Sequence, residues 1–170
     1  MNYEISEQVR KQARHPHELF LINLITNHIL LFVVFLGVAT SYPVLLLIIP
    51  VVSLLILSYL LFRAKRSLVV DSWFVMCHWQ LCARRSKLFI GMLLFLGVVV
   101  TGILLSVGGD VSQLKPGHYA LGGVAILPTL LSVLVLVVME SDAVHKANIG
   151  EVPKWLVEKY PNTGATQVIE

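Results

Sequence analysis

Residues 29–62 read "ILLFVVFLGVATSYPVLLLIIPVVSLLILSYLLF" and contain no Asp, Glu, Lys or Arg. A helix needs about 20 apolar residues to cross the hydrocarbon core of a bilayer, and this stretch is long enough to cross it twice. "TSYP", residues 40–43, lies inside the stretch and has the composition of a tight turn. The stretch therefore predicts two membrane-spanning helices that form an antiparallel hairpin.

The rest of the chain extends this pattern. Its 170 residues are 56% hydrophobic and only 14% charged, with a mean hydropathy of +0.80, whereas soluble domains carry about a quarter charged residues. We predict an all-α integral membrane protein with two antiparallel hairpins. The loops between the spans leave no room for a soluble catalytic domain, so we expect no enzymatic activity. The four predicted spans are 19–40, 44–62, 88–107 and 119–139.

The basic residues predict the orientation. Every Lys and Arg except Lys115 lies outside the two predicted outer loops, and positive residues near span ends stay in the cytoplasm. Both termini should therefore be cytoplasmic, in a bacterial inner membrane whose anionic lipids meet this charge; we expect no nucleic acid partner. A cleaved signal peptide is the alternative for the first span, but its leader would be long and would carry Glu4, Glu7 and Glu18.

The spans divide the chain into five parts. Residues 1–15 form a cytoplasmic segment, with Pro16 in the first turn of the first span. A short helix is expected within 150–161, and a flexible tail from 162 onward. The hairpins share "FLGVAT" (35–40) and "FLGVVVT" (95–101), which leaves both duplication and chance similarity open. The remaining parts are the hairpin 16–62, a cytoplasmic interfacial helix at 63–87, the hairpin 88–139 and a cytoplasmic segment at 140–170.

One predicted span turns polar near the bilayer midplane. Asn23, Asn27 and His28 lie close together in the first span, and ionisable residues at such depth are candidates for function. His28 could be a metal or haem ligand, a proton relay or part of a substrate site, or it could be a neutral histidine hydrogen-bonded to another span. The hydroxyl groups predicted at similar depth belong to Ser53, Thr129 and Ser132.

The segment 63–87 carries a second polar pattern. On a helix, Asp71, His78 and Arg85 follow one another at spacings of seven, with Cys82 beside them. We name these four residues the inner-interface seam and interpret the seam as a docking surface on an amphipathic helix. Because the loop faces a reducing compartment, we expect no disulfide between its two cysteines.

The same residues raise the question of a metal site. His78 and Cys82 are one helical turn apart, but Cys77 points about 140° away from Cys82. No closed ligand set is visible, so no cofactor is predicted, and metal or haem binding stays an alternative. Further candidate ligands on the inner face are His15 and His17, together with Glu18, Glu140, Asp142 and His145.

These patterns support three hypotheses of function. The first is a non-catalytic accessory or assembly subunit that works through a protein partner or self-association. The second is a small homo-oligomeric channel or transporter with its site at Asn23, Asn27 and His28, where Pro50 and Pro128 would kink the spans. The third is a metal- or haem-binding redox protein.

Overall fold

The computed structural model describes residues 1–38, 41–162 and 167–168, and these are almost entirely helical. Four helical stretches are long and apolar enough to cross a membrane, which confirms the predicted all-helical protein with four candidate spans. The predicted turn at 40–43 lies partly outside the described residues. The four stretches are Glu7–Val38, Val44–Val70, Trp73–Ser106 and Pro116–Ile149.

The first stretch changes its helical winding along its length. It consists of α1 (Glu7–Ile22), a π-helical segment (Asn23–Leu31) and α2 (Phe32–Val38). A π-helical segment of this length is unusual, because most are single turns at functional sites. The helix begins at Glu7 rather than at Pro16, since Glu7–His15 is rich in good helix formers, so Pro16 lies inside α1.

The second and third stretches are separated by only two residues. A 3₁₀ turn (Pro43–Leu47) leads into α3 (Ile48–Val70), whose first turn accommodates Pro50. After Asp71 and Ser72, α4 runs from Trp73 to Ser106 without interruption. The structure therefore differs from the expected separate helix at 63–87, because no Gly or Pro follows Trp73 until Gly91 and nothing ends the helix before the third span.

The remaining elements are α5 (Pro116–Ile149), which contains Pro128, and the short α6 (Lys154–Lys159). The predicted helix within 150–161 is thus confirmed. Strand β1 (Asn2–Tyr3) pairs antiparallel with β2 (Gln167–Val168); residues 163–166 and 169–170 of the predicted tail lie outside the described residues.

A short connection links α4 to α5. Gly108 and Gly109 both have positive φ angles, 62° and 82°, which glycine adopts without steric cost. The side chain of Asp110 then accepts hydrogen bonds from the hydroxyl and backbone N–H of Ser112. With a further bond from Gln113, these hydrogen bonds lower the pKa of Asp110 below its usual value. The two glycines and the hydrogen bonds to Asp110 therefore hold the conformation of this connection.

The core lies toward one end of the bundle. We call this the terminal end, because it holds the start of α1, the junction between α3 and α4 and the end of α5. There Phe20, Leu60 and Phe89 are fully buried. At the other end Val98 and Leu105 are 72% and 74% exposed, as expected for side chains that face lipid, which is as apolar as they are.

The N-terminal part of the chain is hydrogen-bonded to the end of α5 and to the residues that follow α5. The backbone N–H of Tyr3 donates to the carbonyl of Gly150 at 2.9 Å, and the Met1 amino group donates to Val152 at 3.1 Å. The Arg10 guanidinium donates to the carbonyl of Asn148 at 3.0 Å, and Arg14 donates to the Asn148 side chain at 2.8 Å. These hydrogen bonds hold the first residues of the chain against the end of α5 at the terminal end of the bundle.

Replacing Gly150 with Ala should open this contact. Gly150 ends α5 with a φ of 79°, and a Cβ there would collide with the carbonyl oxygen of Tyr3. We expect Gly150→Ala to lower the free energy of unfolding by at least about 1–2 kcal/mol, measured by thermal unfolding in detergent. The control is Gly97→Ala, where a Cβ meets nothing within 4 Å. Equal effects of both substitutions would contradict the prediction.

Candidate functional site

Polar side chains from α1, α4 and α5 meet inside the terminal end. His17 Nδ1 and Glu140 Oε2 are joined by a hydrogen bond of 2.5 Å, and His17 Nε2 lies 3.0 Å from His78 Nδ1. Arg85 Nη1 donates to Glu140 Oε1 at 3.2 Å, and Cys82 Sγ donates to the carbonyl oxygen of Pro16 at 3.4 Å. We call His17, His78, Cys82, Arg85 and Glu140 the buried cluster.

Helix periodicity and helix length together build this cluster. His78, Cys82 and Arg85 lie on one face of α4, because residues three and four apart are neighbours on a helix. Glu140 takes part because α5 continues to Ile149, well past the apolar run that ends at Met139. His17 takes part because α1 begins at Glu7 and brings about two and a half turns of helix before Pro16.

Four of the five residues of the cluster are closed to solvent. His17, Cys82 and Glu140 have no exposed surface, and His78 is 1% exposed, whereas the Arg85 side chain is 13% exposed. A buried carboxylate must be paired and hydrogen-bonded to remain charged, and Glu140 has Arg85 on one oxygen and His17 on the other. With Glu140 accepting from His17 Nδ1–H, His17 Nε2 accepts from His78 Nδ1–H, so a chain of hydrogen bonds crosses three helices.

The inner-interface seam is divided in the structure. Asp71 binds Arg63 through two hydrogen bonds of 2.7 and 2.8 Å and does not join the buried cluster. The reason is that α4 begins at Trp73, so Asp71 is not on the helix whose periodicity defined the seam. The other three members, His78, Cys82 and Arg85, face the bundle interior rather than a surface.

The metal candidates are divided in the same way. His17, His78 and Cys82 come together, whereas His15 is exposed and packs edge-on against Trp79. The sequence analysis named Glu140 only as one of several further candidate ligands on the inner side of the membrane and did not single it out. The available signal was an acidic residue directly after the apolar run "LVLVVM" with no helix stop behind it.

The predicted intramembrane residues form a second polar group. Asn23 Nδ2 donates to Ser53 Oγ at 3.0 Å, and His28 Nε2 lies 2.8 Å from the same oxygen. Asn27 Nδ2 donates to the carbonyl of Ile49 at 2.8 Å. The π-helical segment is thereby bound to α3 through side chains that cannot be satisfied by lipid.

Thr129 and Ser132 do not join this group in the described part of the chain. The Ser132 hydroxyl donates to the carbonyl of Thr129 in its own helix at 2.7 Å. Thr129 Oγ1 is buried and makes no hydrogen bond among the described residues. The hydroxyl that binds His28 is therefore that of Ser53 alone among the three predicted partners.

A polar cleft opens between α1, α3 and α4 at the terminal end, with a volume of about 470 Å³. Its floor is Trp79, with the Arg63 guanidinium 4.9 Å above the ring centre. Asp71 holds Arg63 in this position, and His15 packs edge-on against Trp79. The remaining lining residues are Gln8, Lys11, Gln12, Tyr59 and Val75.

The four apolar helices indicate the class of the protein, which is that of small integral multi-pass membrane proteins. Comparisons with family models, curated proteins and solved structures find no significant match.

Replacing Ser53 with Ala should weaken the intramembrane group. The substitution removes the acceptor of Asn23 and the partner of His28. Interhelical polar contacts in membranes contribute about 0.6 kcal/mol on average, so we expect a loss of roughly 1 kcal/mol in unfolding free energy. Unfolding in mixed micelles measures it. Ser58→Ala, on the exposed side of the same helix, should change little, and a Ser53→Ala protein as stable as the Ser58→Ala protein would contradict the prediction.

Glu140 should contribute more to stability than a surface carboxylate on the same helix. Glu140→Gln leaves the Arg85 charge, which is 13% exposed, without its counter-charge, and breaking a buried pair in this way costs about 3 kcal/mol or more. Asp142→Asn is the control, because Asp142 is half-exposed and pairs with Lys146 only on the surface. Chemical unfolding should show a large loss of unfolding free energy for Glu140→Gln and little change for Asp142→Asn. Equal losses in the two variants would contradict the prediction.

Proposed function

We propose that this protein is a non-catalytic accessory or assembly subunit of a membrane complex, and that it binds an acidic segment of a partner protein. The observation that carries the proposal is the cleft floored by Trp79 and bordered by Arg63 and Lys11. It combines the guanidinium of Arg63, a residue type enriched among the interface residues that contribute most to binding energy, with the exposed positive charge of Lys11.

The proposed membrane topology places this cleft in the cytoplasm. The helices cross a bacterial inner membrane as two antiparallel hairpins with both termini inside, and residues 63–87 lie at the inner interface. The distribution of Lys and Arg supports this orientation. The hydrogen bonds that pair Asn23 with Ser53 and Asn27 with Ile49 support an antiparallel first pair of helices. The basic residues then also meet the anionic inner leaflet.

The cleft is already arranged for binding. Asp71 fixes the Arg63 guanidinium by two hydrogen bonds, and Trp79 is almost fully buried beneath it. Preorganised groups lose little conformational entropy when a partner binds. Lys11 is exposed at the border and supplies a positive charge there, whereas the charge of Arg63 is already paired with Asp71. An acidic segment therefore matches the cleft better than a basic or apolar one.

The channel hypothesis has less support. Asn23, Asn27 and His28 are engaged with Ser53 and the backbone of α3, so their polar groups already serve to join two helices. A structural role of this kind explains their depth without a transported substrate. The redox hypothesis would need a bound metal or haem.

Site-specific photocrosslinking in native membranes tests the proposed function. A benzophenone side chain at Gln12, in the cleft, should give one defined protein adduct, while the same group at the lipid-facing Val98 should not. Lys11→Glu should lower the yield from Gln12 several-fold, because it reverses a charge at the border of the cleft.

The matched control for that charge reversal is Lys87→Glu, which changes an exposed lysine outside the cleft and should leave the yield unchanged. Mass spectrometry of the adduct identifies the partner. An adduct with a second copy of the chain would replace the accessory role with self-association, and the absence of any adduct from Gln12 would reject the cleft as a docking site.

A further inference from the structure

We propose that the buried cluster binds one divalent transition metal ion of the zinc class, with His17, Cys82 and Glu140 as protein ligands. The proposal does not depend on partner binding at the cleft, which uses other residues. It rests on the convergence of an imidazole, a thiol and a carboxylate from α1, α4 and α5 at one buried point.

The distances are close to those that a metal requires. One ligand atom from each of His17, Cys82 and Glu140 lies within 4.8 Å of the other two. Tetrahedral zinc has bonds of about 2.0–2.3 Å to nitrogen, oxygen and sulfur, so its ligand atoms are roughly 3.3–3.8 Å apart. His17 Nδ1 and Glu140 Oε2, now 2.5 Å apart, must separate by about 1 Å to admit the ion. Cys82 Sγ, within 4.8 Å of its partners, must approach them by up to about the same amount.

The donor set favours zinc over other common ions. Mixed nitrogen, sulfur and oxygen ligands suit Zn²⁺ and Co²⁺, whereas Mg²⁺ and Ca²⁺ prefer oxygen ligands alone. Three protein ligands leave a fourth position on the ion, which is the arrangement of zinc sites that bind water or another small ligand.

The surrounding residues supply the outer partners that metal sites need. His78 Nδ1 lies 3.0 Å from His17 Nε2 and can hold that ring in the required tautomer. Arg85 binds the Glu140 oxygen that faces away from His17, and it also donates to the carbonyl of Met139 at 2.9 Å. Arg85 can therefore keep both hydrogen bonds when the other oxygen of Glu140 binds the ion.

The proton balance of binding is simple. The Cys82 thiol loses its proton to solvent as its sulfur binds the ion. The proton on His17 Nδ1 is lost while one is taken up at His17 Nε2, which then donates to His78 Nδ1; His78 in turn carries its proton on Nε2. The thiolate and the carboxylate neutralise the two charges of the ion, and one proton is released overall, so affinity should rise with pH.

The chain provides its own matched control. Cys77 and Cys82 are its only two cysteines, and both are fully buried in α4. They point about 140° apart on the helix, and Cys77 is not among the grouped ligand residues. A thiolate–metal signal that survives Cys77→Ser must therefore come from Cys82, without any change to the cluster itself.

The test uses the full chain in mild detergent, stripped with EDTA and then loaded with Zn²⁺ or Co²⁺. We expect one Zn²⁺ per chain by elemental analysis, and a near-ultraviolet thiolate-to-cobalt absorption band with Co²⁺, both unchanged in Cys77→Ser. Cys82→Ser should abolish the band, and His78→Ala should weaken binding about 10–100-fold, as loss of an outer partner does.

Two results would overturn the proposal. One is a stripped wild-type protein that binds Zn²⁺ well below one equivalent and gives no thiolate band with Co²⁺. The other is loss of the band in Cys77→Ser, because the thiolate ligand would then be Cys77 and the site would lie elsewhere. The first result is read on the wild-type protein and the second on Cys77→Ser, so both stand even if a substitution within the cluster prevents folding.

Discussion

A carboxylate without solvent access limits how three helices of this protein can be arranged. Glu140 is completely buried, and a charge removed from water is stable only when opposite charge and hydrogen-bond donors surround it. Arg85 from α4 and His17 from α1 meet that need together. A shift of any of the three helices by one turn, 5.4 Å along its axis, would break the arrangement, so the pairing fixes their register at the terminal end.

Lipid places a different constraint on the opposite end of the bundle. Apolar side chains gain little by packing against one another when the surrounding solvent is hydrocarbon, and residues such as Val98 and Leu105 accordingly face outward. Only polar groups must find protein partners there. That is why the contact of the π-helical segment with α3 depends on Asn23, Asn27 and His28, which share Ser53 and the carbonyl of Ile49.

The features predicted well from sequence are those that depend on one helix at a time. The four apolar helices follow from hydropathy and length, and the short helix around Trp155 follows from Pro153 and the pattern behind it. The predicted inner-interface seam was wrong at Asp71, because a helical wheel assumes a continuous helix and α4 starts two residues later. Glu140 was only one of several further candidate ligands on the inner face, and the sequence could not single it out, because its burial depends on α1 and α4 extending beyond the apolar core to cover it, which is a tertiary property.

The buried cluster contains a thiol, that of Cys82, which the hydrogen bonds between the helices do not require. A network that served only to join helices would need no thiol, because Glu140 is already satisfied by His17 and Arg85, and the weak hydrogen bond from Cys82 to the Pro16 carbonyl adds little to packing. A buried apolar side chain at that position would cost nothing in polar satisfaction. Cys82 nevertheless lies among the ligand atoms of His17 and Glu140, whereas Cys77, equally buried, lies away from them. Helix register alone brings one of the two thiols to a nitrogen and a carboxylate oxygen. If the cluster binds a metal ion as proposed, Cys82 can coordinate that ion and Cys77 cannot.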